Sequence, residues 1–379
     1  MKIRLALLSL ILLSSQASAT PPTYTVTDLG TLGGTFSFGA GINDGGQVTG
    51  WVGTPGTYYR HAFLYNGTMN DLGTLDGGNY SAGLGINNSG QVTGDFTIAG
   101  DQQYRAFLYS GGTMHDLGTL GIGPYNGDFS EGQGINASGQ IAGWSNVVGN
   151  GIAHAFLWSP TTPNGTSGTM QDLGTLGGDN SAAAGINDSG WVTGNSDTNL
   201  DAASHAFLYN GTTMLDLGSL TGPTGYSSGL AINDSGQVTG LSYISGGAAY
   251  HAFLYSGGTM NDLGTLGGTD SEADGINASG QIVGDSSTTG NADDHAFLYT
   301  GGQMYDLNTL ISPSSGWDLR EAYAINDSGQ ITGYGTIDGE THAFLLTEGP
   351  VPEPSTFVLA LVGLPAVFFL RRRFAKVGD

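Results

Sequence analysis

The sequence predicts an all-β fold, a seven-bladed β-propeller of four-stranded antiparallel blades. Three observations point there. Four short motifs recur seven times in fixed order, at a period near ~44 residues, the span of a propeller blade. Each motif is rich in β-branched or aromatic residues and is bounded by Gly, Asn, Asp or Ser, as strands are. The two ends of the repeat array are out of step by one strand.

Before the array, residues 1–19 read MKIRLALLSLILLSSQASA. Lys2 and Arg4 give a positive start, Leu5 to Leu13 an apolar stretch, and Ala17-Ser18-Ala19 a small-residue cleavage site. This is the pattern of a secretory signal peptide, cut after Ala19 with Ala17 and Ala19 setting the site. The apolar stretch falls far short of the roughly 20 residues that span a bilayer.

The repeat array occupies residues 20–349. Asp-Leu-Gly or a near variant begins at Asp28, Asp71, Asp116, Asp172, Asp216, Asp262 and Asp306, with gaps of 43, 45, 56, 44, 46 and 44 residues. We call this strand D. Strand A carries Gly/Ala-Ile-Asn, centred on Ile42, Ile86, Ile135, Ile186, Ile232, Ile276 and Ile325. Strand B, Gly-Gln-Val-Thr-Gly or similar, follows each A. Strand C is His-Ala-Phe-Leu-Tyr, with its phenylalanine at Phe63, Phe107, Phe156, Phe207, Phe253, Phe297 and Phe344. Turns such as Asp234-Ser235-Gly236 join A to B, and Asn66-Gly67, Asn210-Gly211 or Gly257-Gly258 join C to D. Asn and Gly accept the positive φ that tight hairpins need.

The array opens on a lone D strand, 24–29, and closes on A, B and C near 322–326, 330–334 and 342–346, with no D after them. The first strand must therefore complete the last blade. Mixing the chain ends in one sheet removes the open edges that an array of strands otherwise leaves.

The recurring Asp-Leu-Gly-Thr-Leu-Gly-Gly, Gly-Ile-Asn, Gly-Gln and His-Ala-Phe-Leu elements resemble those of bacterial extracellular HAF-repeat proteins, over about residues 23–346. The resemblance implies an extracellular role and no established reaction or ligand. Two copies depart from the pattern: Arg105 replaces the histidine in the second, and Asn308 replaces the glycine of Asp-Leu-Gly in the last.

Composition supports a packed β fold. Glycine is 67 of 379 residues and charged residues only 11%, yet hydrophobic residues reach 39%. That is too apolar for a disordered chain. There is no cysteine, so neither disulfides nor thiolate metal sites are available. Residues 20–349 hold three basic residues, Arg60, Arg105 and Arg320, against 30 acidic ones. Such a field repels phosphate backbones, which excludes nucleic acid as a partner. Weak calcium binding to the acidic surface is the only cofactor-like expectation.

The repeated polar residues read as scaffold. Six histidines head strand C: His61, His154, His205, His251, His295 and His342. Spread around a ring, they cannot converge on one ion, and each is expected to bond within its own blade. The repeated Asp and Asn are expected to close turns on their own backbone. No segment matches an EF-hand loop, a phosphate-binding loop or a Ser-His-Asp constellation, so no catalytic, cofactor or metal residues are assigned.

The copies disagree in the loops from B to C, on the face shared with the D-to-A loops. Tyr58, Tyr59, Tyr104, Tyr243 and Tyr250 are the candidate ligand contacts there, with acids such as Asp101, Asp197, Asp201, Asp293 and Asp294 beside them. Variable loops on a rigid scaffold are where function usually lies.

Residues 350–379 form a separate tail. Residues 356–370 are apolar throughout, and Arg371, Arg372 and Arg373 follow at once. Fifteen helical residues rise only ~22 Å, so snorkelling arginines must help span a ~30 Å core. A C-terminal transmembrane helix is expected, with its arginines in the cytoplasm and the body outside. Pro352-Glu353-Pro354, the apolar stretch and the arginines together resemble the PEP-CTERM sorting signal. That resemblance implies a Gram-negative, polysaccharide-producing source and processing by an exosortase, a membrane transpeptidase acting near the Pro-Glu-Pro motif.

The sequence thus leads to an exported, surface-displayed, non-enzymatic module for adhesion or matrix binding, associated with exopolysaccharide or another surface protein in a biofilm setting. A glycan-active enzyme with paired carboxylates in the central cleft, or an inert acidic spacer, are the alternatives.

Overall fold

The computed structural model describes residues 21–349, apart from 76, 99, 101–102, 122–128, 148–151, 200–201 and 245–246. The signal peptide, with Ala17 and Ala19, and the tail, with Pro352, Glu353, Pro354, Arg371, Arg372, Arg373 and the expected transmembrane helix, lie outside the described residues, as do Asp101 and Asp201.

Twenty-eight strands, β1 to β28, form seven four-stranded antiparallel sheets among the described residues. Blade 1 takes β2 (Ser37–Ile42), β3 (Val48–Gly53), β4 (Arg60–Tyr65) and β5 (Met69–Gly73) in that order. Five more sheets repeat this A-B-C-D order along the chain. Blade 7 joins β26 (Asp318–Ile325), β27 (Ile331–Ile337) and β28 (Glu340–Glu348) to β1 (Tyr24–Gly30). Tyr24 pairs with Glu348 and Asp28 with Phe344, so the first strand closes the last blade as the offset of the chain ends predicts. The chain is a seven-bladed β-propeller.

Its cores lie between blades. Strand C alternates, so the Ala and Phe of His-Ala-Phe point to opposite faces of their sheet. Ala62 packs with Val92 and Phe107 of blade 2, while Phe63 packs with Ala343 and Leu345 of blade 7. All seven of these phenylalanines are fully buried, each contributing roughly 3 kcal/mol of apolar burial. The small alanine is what lets the next blade's ring approach.

The glycine of Val-Thr-Gly is fixed by a close approach. A Cβ at Gly94 would sit 1.8 Å from the Ala82 carbonyl oxygen and 3.1 Å from the Phe107 ring. The backbone beneath the buried phenylalanine has no room for a side chain.

Serines at the start of strand A lock the blades together. Ser81 Oγ accepts from the Ala62 N–H at 2.8 Å and donates to the Gly73 carbonyl, both in the preceding blade. Ser37, Ser130, Ser181, Ser227 and Ser271 repeat both contacts. In blade 7 the serine is replaced by buried Leu319. Asn308, the departure from Asp-Leu-Gly, supplies the missing polar link. Its Oδ1 accepts from the Leu319 N–H at 2.8 Å and its Nδ2 donates to the Leu319 carbonyl at 2.9 Å.

Candidate functional site

The strand C histidines bond within their own blades. His61 Nδ1 lies 3.0 Å from the Asp71 carboxylate, and His154, His205, His251 and His295 meet Asp172, Asp216, Asp262 and Asp306 in the same way. His342 meets Asp28 across the ring closure. The same Asp carboxylates cap the turn after them, as in the Gly73 N–H to Asp71 Oδ1 bond at 2.7 Å. Where Arg105 replaces histidine, its Nη1 reaches Asp116 Oδ2 at 2.8 Å. The histidine bond holds the Asp71 carboxyl below the usual carboxylate range.

The Ile-Asn asparagines close a ring at the face of the A-to-B turns. Asn43 Nδ2 donates to the Asn87 carbonyl, Asn87 to Asn136, Asn136 to Asn187, Asn187 to Asn233, Asn233 to Asn277, Asn277 to Asn326, and Asn326 back to Asn43, all at 2.9–3.1 Å. The second Nδ2 hydrogen goes to a glutamine of the same turn in six blades, such as Gln47 at 2.8 Å. In the remaining copy Trp191 stands at that position. These residues line an axial cavity of about 240 Å³. With the ring amide hydrogens committed to protein in every copy except the second one of Asn187, the ring is scaffold.

Seven-fold likeness fails at one set of strand positions. Cross-strand pairs between A and B read Phe38–Trp51, Ala82–Asp95, Glu131–Trp144, Ala182–Asn195, Ser228–Leu241, Glu272–Asp285 and Glu321–Tyr334 around the ring. Aromatics and acids concentrate on blades 6, 7, 1, 2 and 3. Phe38 stacks on Trp51 at 5.2 Å and meets Tyr334 at 4.6 Å, which carries an aromatic ridge across the join of blades 7 and 1.

One cavity, about 370 Å³, opens where blades 1, 2 and 3 meet. Trp51, Tyr80 and Tyr104 supply aromatic surface, and Arg60, Asp95 and Glu131 supply charge. The Arg60 guanidinium sits 5.6 Å over the Trp51 ring. Burial pushes the Asp95 carboxyl up to about 6 against the pull of Arg60. Burial, and then the Asp95 charge, push Glu131 up to about 7.

A second cavity, about 480 Å³, lies between blades 6 and 7 and holds Asp285, Asp294, Arg320, Glu321 and Tyr334 among its walls. Burial, then neighbouring carboxylates, push Asp285 up to about 8 and Glu272 up to about 7. Burial also pushes the Glu321 carboxyl up, against the pull of the Tyr323 and Tyr334 hydroxyls.

The predicted tyrosines divide between sites. Tyr104 is in the first cavity and packs on Phe129 at 4.8 Å and Trp144 at 5.9 Å. Tyr59 meets Tyr80 of the same wall edge-on at 5.5 Å, while Tyr58 stands 97% exposed. Tyr243 and Tyr250 pair at 6.2 Å on blade 5, far along the ring, where Tyr243 and Tyr226 border a separate cavity of about 810 Å³. Trp51, Asp95, Glu131, Glu272, Asp274, Asp285 and Glu321 were not singled out from sequence. The readable signal was the variable position within Ser-x-Gly-x-Gly-Ile-Asn and just after Val-Thr-Gly.

No family model matches the chain, and no curated protein matches it. Among solved structures, 14 chains match. One is an arginine-to-alanine triple mutant of AofleA from Arthrobotrys oligospora, 10% identical, with the match covering 77% of this chain and 92% of that one at a TM-score of 0.39.

Proposed function

We propose that this chain is an exported, surface-displayed, non-enzymatic propeller that binds extracellular carbohydrate in the cavity where blades 1, 2 and 3 meet. The observation that carries the reading is the departure from seven-fold likeness there. Trp51, Tyr80 and Tyr104 border the same 370 Å³ space as Arg60, Asp95 and Glu131. Flat aromatic faces suit the C–H faces of a sugar ring, and a few convergent polar groups suit its hydroxyls. The strongly acidic body also favours a neutral or cationic polymer over a polyanion.

The test is binding of the full-length chain to a glycan panel and to the matrix polysaccharide of its own source. A specific ligand whose affinity falls tenfold or more in Trp51→Ala and Asp95→Asn supports the reading. A flat panel, or binding indifferent to both changes, overturns it and favours an inert spacer.

Display at the surface rests on the leader and tail motifs. Mass spectrometry of the mature protein from native cells checks it. The expected chain begins at Thr20 and ends near Pro352-Glu353-Pro354, and a full-length tail contradicts exosortase processing. A glycan-active enzyme calls for two carboxyl groups facing each other across a scissile bond, roughly 5–9.5 Å apart. The acids of blades 6 and 7 gather as three rather than as a facing pair, one carboxylate oxygen of each within 4.8 Å of the others, an arrangement that suits a shared ion.

A further inference from the structure

Strand A of blade 6, β22 (Gly267–Ile276), carries Asp274, and its neighbour β23 (Ile282–Thr288) carries Asp285. Glu321 comes from β26 in the next blade. One carboxylate oxygen from each of the three lies within 4.8 Å of the others. A water molecule can touch part of Asp274, but its carboxyl is enclosed by protein, and its Oδ2 is sealed and has no hydrogen-bond partner. An orphaned buried carboxylate oxygen is costly unless something cationic meets it.

Among the described residues no cationic side chain does so. Arg320, the basic residue of these two blades, is held by Asp293 at 2.9 Å and Asp318 at 2.6 Å. Arg60 and Arg105 serve blades 1 and 2. Glu272, cross-strand from Asp285, adds a fourth acid to the group rather than a counter-charge.

We propose that Asp274, Asp285 and Glu321 form a divalent-cation site that pins blade 6 to blade 7, with calcium as the fitting ion. All-carboxylate donors select hard cations. Coordination number chooses among them: calcium accepts about six to eight oxygens in flexible geometry, whereas magnesium keeps several waters and is usually held by only one or two carboxylates. Three carboxylates, each with an oxygen within 4.8 Å of the others, suit calcium. The site is separate from the proposed carbohydrate cavity and needs no ligand there.

Isothermal titration of the full-length chain in detergent, with calcium chloride at 150 mM salt, tests the proposal. One saturable calcium per chain is expected, together with a rise in unfolding temperature. Asp274→Asn and Asp285→Asn each weaken binding tenfold or more. Asp338→Asn removes the same single charge from an exposed turn and leaves binding unchanged. Asp274→Asn also folds at least as well as the parent without calcium, since it removes the orphaned charge. The absence of stoichiometric calcium binding overturns the proposal and leaves protonation as what holds the acids together. Equal weakening by Asp338→Asn overturns it in favour of diffuse surface attraction, and tighter binding of magnesium than calcium overturns the choice of ion.

Discussion

Asn326 donates its side-chain amide to the backbone carbonyl of Asn43, 2.9 Å away, although 283 residues separate them in sequence. This contact joins the last A-to-B turn to the first and completes the asparagine ring. Asn326 Oδ1 also accepts the backbone N–H groups of Ser328 and Gln330 at 3.1 and 2.9 Å. Asn326→Ala therefore strands a buried carbonyl and removes the acceptor of two turn N–H groups. At about 1 kcal/mol for each lost bond, stability should fall by about 2–4 kcal/mol in urea unfolding.

Arginine already replaces histidine once in the ring, so the exchange should transfer to other blades. His61→Arg should keep a bond to Asp71, as Arg105 does to Asp116, and cost under about 1 kcal/mol. His61→Ala leaves Asp71 only its turn contact at Gly73 and should cost more. Chemical denaturation of the two variants side by side reads the difference.

Asp95 and Glu131 make stability depend on pH in the direction opposite to an ordinary salt-bridged acid. Their folded-state values, about 6 and about 7, lie above their ordinary values of 3.8 and 4.5. The folded chain thus binds these protons more tightly than the unfolded chain. The resulting stability is fully present below about pH 4 and is lost as pH rises through 6 and 7. Asp95→Asn should raise the unfolding temperature at pH 8, by the equivalent of about 2–3 kcal/mol, and leave it little changed at pH 4. A variant stabilised equally at both pH values would contradict this.

Blade 7 offers a coupled pair. Asn308 makes two hydrogen bonds to the Leu319 backbone where the other blades use a serine. Asn308→Gly alone should cost about 1–3 kcal/mol. Adding Leu319→Ser restores the serine arrangement and should recover part of that loss. A double-mutant cycle with no coupling between the positions would contradict the compensation.

Much of the architecture was legible in the sequence because the repeat states each strand seven times. Turn residues such as Asn66-Gly67 marked the hairpins, and the lone first D strand announced the closure that pairs Asp28 with Phe344. The in-blade histidine contacts followed from ring geometry. The particular partner did not, because His61 and Asp71 meet only through the antiparallel register of their strands, in which Phe63 faces Asp71. The candidate site stayed hidden for a related reason. Its residues sit inside regular strands, at positions such as Phe38, Glu131 and Glu321 between repeated serines and glycines, and carry no local motif. Bringing Asp274, Asp285 and Glu321 together takes three strands and two blades. No linear spacing encodes that convergence.

The pairing of the first strand with the last blade also sets a schedule for synthesis. Asp28 emerges 314 residues before His342, its eventual partner. At about 5–20 residues per second, the opening strand waits roughly 15–60 s for its sheet. Throughout that delay an unpaired ribbon, Tyr-Thr-Val-Thr-Asp-Leu-Gly, is available to any other strand edge. Six blades can form while the ring is still a crescent, so the hazard of mispairing belongs to the growing chain, and it ends when the final residues of the array arrive.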